Sequence, residues 1–75
     1  MISVNYHIPK AKDRKIVNFY LDISSDSGIT SSRSGDIVTI NYPDKVVRMC
    51  FLKLVVQLAG LDIRSMWLKP GDIED

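Results

Sequence analysis

Three stretches of the chain alternate apolar and polar residues with a period of two, and a fourth repeats its apolar positions every three to four residues. In Met1–Ile8 the residues Ile2, Val4, Tyr6 and Ile8 share one face and Ser3, Asn5 and His7 the other, the pattern of a half-buried strand. Lys15–Ser24 alternates again, with Val17, Phe19, Leu21 and Ile23 opposite Ile16, Asn18, Tyr20 and Asp22. The intervening PKAKDRK, Pro9–Lys15, is polar and starts with a residue that cannot donate to a ladder, so it reads as the loop of an antiparallel hairpin. Asp36–Tyr42 is the third alternating run, with Val38, Ile40 and Tyr42 opposite Ile37, Thr39 and Asn41. Between the second and third runs lies SSDSGITSSRSG, Ser24–Gly35, whose six serines and two glycines suit a long hairpin tip or a binding loop of hydroxyls and amides. It lacks the lysine and spacing of a phosphate-binding P-loop.

The helical period begins after Tyr42. In PDKVVRMCFLKLVVQLAGLD, Pro43–Asp62, Pro43 and Asp44 punctuate the start, and Gly60 is placed as a left-handed cap with Leu61 folding back on the last turn. Steps of 100° sort the helix into two apolar stripes. Val47, Phe51, Leu54 and Leu58, with Cys50 and Val55 on the shoulders, should meet the sheet. Met49, Leu52, Val56 and Ala59 form a second stripe between Arg48 on one side and Lys53 and Gln57 on the other. Ile63–Leu68 then reads as an added edge strand or ordered extension, and residues 70–75 as a frayed tail.

These elements predict an α+β fold, β-β-β-α-(β): two layers, a three- to four-stranded antiparallel sheet packed on one α-helix. Its inward set would be Ile2, Val4, Tyr6, Ile8, Val17, Phe19, Leu21, Ile23, Val38, Ile40 and Tyr42. Seventy-five residues make one domain, 1–75, with a thin core and little material for a deep pocket. One sheet cannot cover both stripes of the helix, yet burying three such side chains is worth roughly 1.5–3 kcal/mol each. Either the tail wraps back, bringing Trp67, Ile63, Met66 and Leu68 over Met49, Leu52 and Val56, or another chain covers the stripe.

Composition narrows the function classes. A hydrophobic fraction of 45% and a charged fraction of 25% are those of a folded domain rather than a disordered tail. The formal charge of +1 supplies no global field for nucleic acid or an anionic membrane. It hides a basic segment, Lys10, Lys12, Arg14 and Lys15 against Asp13, and an acidic end, Asp72, Glu74 and Asp75. One cysteine cannot make an intrachain bridge, which favours a reducing, cytoplasmic setting. MISVNYHIPK lacks the pattern of a signal peptide, and Lys53 and Gln57 interrupt the longest apolar stretch, so no membrane span is expected.

The residues offer little catalytic chemistry. Cys50 has no CxxC partner and reads as a small buried hydrophobe. His7 stands alone on the presumed solvent face, and Asp22, Asp26 and Asp36 lack the spacing of a calcium loop. No catalytic residue, metal or cofactor is expected, and the chain reads as no enzyme.

The function that fits is a non-enzymatic protein-interaction module, an adaptor or inhibitor, of the motif-free compact type that phages and mobile elements encode. Its contact surface would be Met49, Leu52 and Val56, rimmed by Arg48 and Lys53, with Lys10, Lys12, Arg14 and Lys15 as an electrostatic guide. A homodimer through the same helix is one form of that reading. The alternative is a nucleic-acid-binding regulator that uses the basic 10–15 loop for phosphate contacts and Tyr20, on the outer sheet face, for stacking.

Overall fold

A computed structural model describes residues 1–68, and every structural statement concerns those residues. β1 (Ile2–His7) leads into α1 (Ala11–Ile23), a 3₁₀ turn at Ser25–Ser27, the hairpin of β2 (Thr30–Ser34) and β3 (Ile37–Tyr42), α2 (Lys45–Leu54) and, after two short turns, β4 (Trp67–Leu68). The sheet is antiparallel throughout, in the order β2-β3-β1-β4. The fold is therefore α+β with a four-stranded antiparallel sheet, as the patterning predicts, but it carries two helices.

The second alternating run is the helix that the pattern did not announce. Lys15–Ser24, expected as a strand, falls within and just past α1, and part of the expected loop Pro9–Lys15 forms its first turn. The same residues satisfy both periods. Val17 and Leu21, four apart, are buried, while Phe19 and Ile23, which a strand would have turned inward, are 59% and 56% exposed. Ala11, Lys12 and Arg14 are good helix formers, and the pattern-based reading gave that propensity no weight. Tyr20 consequently lies on α1, edge to face with Phe19 at 5.2 Å, and not on the outer face of the sheet.

The serine tract is also more ordered than its composition suggests. Thr30–Ser34 pairs with β3 from Thr30↔Asn41 to Ser34↔Ile37, joined by the two-residue turn Gly35-Asp36. Gly35 has φ +61°, and no residue other than glycine has a positive φ, which is the II′ arrangement that matches strand twist. All five residues of β2 are exposed, so no alternation betrays the strand.

On the inner face of the sheet, Val4, Tyr6 and Ile8 lie beside Val38, Ile40 and Tyr42. Val17 and Leu21 of α1, Phe51 of α2, Val55, Ile29 and Ile63 complete one core with them. Ile2, expected inside, is half-buried. Phe51 docks α2 on the sheet against Tyr42, ring centroids 6.0 Å apart. The outer face is polar and laced by side chains: Ser3 Oγ donates to Asn41 Oδ1 (2.6 Å), Asn41 Nδ2 to Thr30 Oγ1 (3.2 Å) and Thr39 Oγ1 to Asn5 Oδ1 (2.7 Å).

Arg14 ties three segments together. Its Nη1 donates to Ile8 O and Pro9 O, each at 2.9 Å, and to Asp36 Oδ1 at 3.2 Å, while the Ile8 amide donates to Asp36 O at 2.8 Å. Two hydrogens are thus shared among three acceptors at the junction of β1, α1 and the β2–β3 turn. Arg14→Ala should lower unfolding stability by about 1.5–3 kcal/mol, the range for hydrogen bonds to charged groups. Asp36→Asn should cost less than about 1 kcal/mol, because that carboxylate is half in water. Urea denaturation of the two variants measures the difference.

Candidate functional site

Why α2 is apolar on several sides follows from how it is held. Asp44 caps it, Oδ1 accepting the Val47 amide at 2.9 Å, and Lys45–Leu54 continues into one π turn, Val55–Ala59, that ends at Gly60 with φ +67°. The residues that meet the core are Val47, Phe51, Val55 and Ala59, spaced by four, with Leu52 beside them. In a regular α-helix Ala59 would lie about 120° around the axis from Val47. The wider π turn brings it back toward the core. The expected stripe is therefore rotated. Leu54 is half-buried, Leu58 is 67% exposed, and Cys50, expected to be buried, is exposed.

Two grooves flank the helix as a result. One, of about 320 Å³, runs between α2 and the end of α1, lined by Val46, Cys50 and Leu54 opposite Ser24, Ser27 and Ile29. The other, of about 420 Å³, is lined by Met49, Leu52, Lys53, Val56, Gln57 and Arg64. It contains the second apolar stripe. Leu52 and Val56 are half-buried, and Met49 is 69% exposed.

The tail covers this stripe only in part. Ile63 is fully buried, Met66 packs on the core, and after the 3₁₀ turn Ile63–Met66 the chain pairs with β1, Tyr6↔Trp67 and Asn5↔Leu68. Trp67 is drawn to the sheet edge, where the Arg48 guanidinium carbon lies 5.9 Å from its ring centroid. A cavity of about 140 Å³ remains, lined by Tyr6, Arg48, Leu52, Arg64 and Trp67. Leu52 and Arg64 border both spaces, which therefore lie side by side.

The charged residues that line these two spaces are all cations. The Arg48 side chain makes no hydrogen bond or ion pair among the described residues, and the Arg64 side chain uses only Nε, donating to Asp62 Oδ1 at 3.2 Å in an exposed pair. Neither lining contains a carboxylate. Of the basic segment, Lys10, Lys12 and Lys15 are exposed at the start of α1 and Arg14 is spent within the fold. None of the four lines the groove. Arg64 was missing from the sequence-based site. Its only signal was a cation inside the apolar run Ile63–Leu68, and its position depends on the turn after Gly60.

Behind the small cavity lie two buried tyrosines whose hydroxyls are 2.9 Å apart. Burial raises both phenols above their ordinary value, and the nearby Arg48 only partly offsets this. The pair is a neutral hydrogen-bonded unit. His7 is exposed on the outer face, and among the described residues no group of three His, Cys, Asp or Glu is placed to hold a metal ion. No described helix is long and apolar enough to cross a membrane. Residues 70–75, expected to fray, lie outside the described residues. Comparison of the chain with protein-family models, curated proteins and solved structures gives no match.

Because the folded phenols keep their protons where unfolded tyrosines lose them, the unfolded chain binds fewer protons above about pH 10, and stability should fall as pH rises beyond that value. Tyr6→Phe/Tyr42→Phe together should flatten this alkaline limb. Either single change strands a buried hydroxyl and should cost about 1–3 kcal/mol, with the double variant losing less than the sum. Urea denaturation from pH 8 upward reads both effects.

Proposed function

We propose that this protein is a non-enzymatic interaction module that binds a partner protein through the outer flank of α2, acting in the cytoplasm as an adaptor or inhibitor of the kind encoded by phages and mobile elements. The observation that carries the reading is the groove over Met49, Leu52 and Val56. A domain this small has little apolar surface to leave unused, yet Met49 stands 69% exposed at the centre of a polar rim, the anatomy of a protein interface. A second copy of the chain is one partner that fits.

The nucleic-acid alternative has lost two of its supports. Arg14 is engaged by backbone carbonyls and Asp36, and Tyr20 is half-buried on α1, away from the outer sheet face. The three free lysines at the start of α1 are what remains of it.

Affinity capture from the cells that make the protein tests the proposal with matched variants. Met49→Asp should abolish retention of a stoichiometric protein, or dissolve a homodimer in sedimentation, without changing the melting temperature. Phe19→Asp, at a position also more than half exposed on the other helix, should retain the partner. Retention by Met49→Asp, or recovery of nucleic acid alone, would overturn the reading.

A further inference from the structure

We infer that the outer flank of α2 is built for an acidic, apolar segment of a partner protein, with an apolar side chain seated on Met49, Leu52 and Val56 and a carboxylate received between Arg48 and Arg64. The inference rests on the proposed function and adds the chemistry of the partner.

Three observations converge on it. First, the two spaces are neighbours: Leu52 and Arg64 line both the apolar groove of about 420 Å³ and the cavity of about 140 Å³ beside Trp67. One extended ligand can therefore address both. Second, the cations are unbalanced. Arg48 and Arg64 line one small cavity, Lys53 stands on the groove rim, and among the described residues the only carboxylate bonded to any of them is Asp62, on the Nε of Arg64. A carboxylate placed between two such cations is attracted by both. Third, Arg48 is held ready. Its guanidinium carbon lies 5.9 Å from the Trp67 ring centroid, within reach of a cation–π contact that leaves its N–H donors to meet a carboxylate.

The apolar groove decides the ligand class. A phosphodiester strand could answer the arginines, but its backbone has no aliphatic group to fill the space over Met49, Leu52 and Val56. A peptide carrying Leu, Ile, Met or Phe next to Asp or Glu supplies both chemistries, and its contact would weaken with salt because the charged edge is open to solvent.

A peptide-display selection on the immobilised full chain tests this directly. The expected result is enrichment of sequences in which Asp or Glu lies within a few positions of a large apolar residue. A synthetic peptide from the enriched set should lose about tenfold or more in affinity on Arg64→Glu and little on Arg64→Lys, and Met49→Asp should weaken it as well. Neutral or basic winners, or no enrichment, would overturn the inference. If protein capture were still lost in Met49→Asp, the broader reading would survive that failure. Enrichment only after Asp72→Asn, Glu74→Gln and Asp75→Asn are combined would make the chain's own acidic end the occupant and would likewise overturn a partner in that place.

Discussion

Burial against the inner face of β1 and β3 is the interaction on which the other contacts depend. Val4, Tyr6, Ile8, Val38, Ile40 and Tyr42 form the only apolar face of the sheet, because the opposite face carries the ladder of Ser3, Asn5, Thr30, Thr39 and Asn41. Two helices must share that face. α1 contributes Val17 and Leu21, and α2 contributes Phe51, with Val55 following in the π turn. Each helix has more apolar surface than its share of the sheet can take, so Phe19, Ile23, Val46, Met49 and Leu58 remain more than half exposed. The grooves on both sides of α2 are the geometric result of that excess.

The two exposed flanks of the molecule are managed differently. On the sheet, uncovered residues are polar and bond to one another across strands, which satisfies them without a partner. On α2, the uncovered residues include the apolar Val46 and Met49, which no polar bond compensates. The contrast between Arg14 and Arg48 follows the same division. Arg14 has three oxygen acceptors and locks the chain at one end of the sheet. The Arg48 side chain has an aromatic ring and, among the described residues, no acceptor, so its donors remain available where the aliphatic surface lies.

The sequence made legible those elements whose pattern had one physical meaning. β1 and β3 alternate because one face is buried and the other wet, and α2 was marked by Asp44 and Gly60 at its ends. α1 was not legible from alternation, since Val17 and Leu21 fit a two-residue and a four-residue repeat equally well; only the helix-forming Ala11–Arg14 turn separates them. β2 had no pattern to read, being exposed on both faces, although Gly35-Asp36 before IVTINY is a hairpin signal by its turn chemistry. Within the site, Met49, Leu52 and Val56 were visible from helical spacing. The π turn that rotates the core stripe to Val55 and Ala59 was not, and neither was Arg64, whose approach depends on tertiary packing of the tail.

The central claim is that the Met49 flank of α2 is open in the free protein. The chain offers its own standards for measuring this, because Met1 is 86% exposed, Met49 69% exposed and Met66 half-buried against the core. Dilute peroxide oxidation of the pure folded chain, followed by peptide mass spectrometry, gives the three rates in one experiment. The account predicts that Met49 oxidises nearly as fast as Met1 and clearly faster than Met66. Protection of Met49 to the level of Met66 would mean that the groove is already filled, and would contradict it.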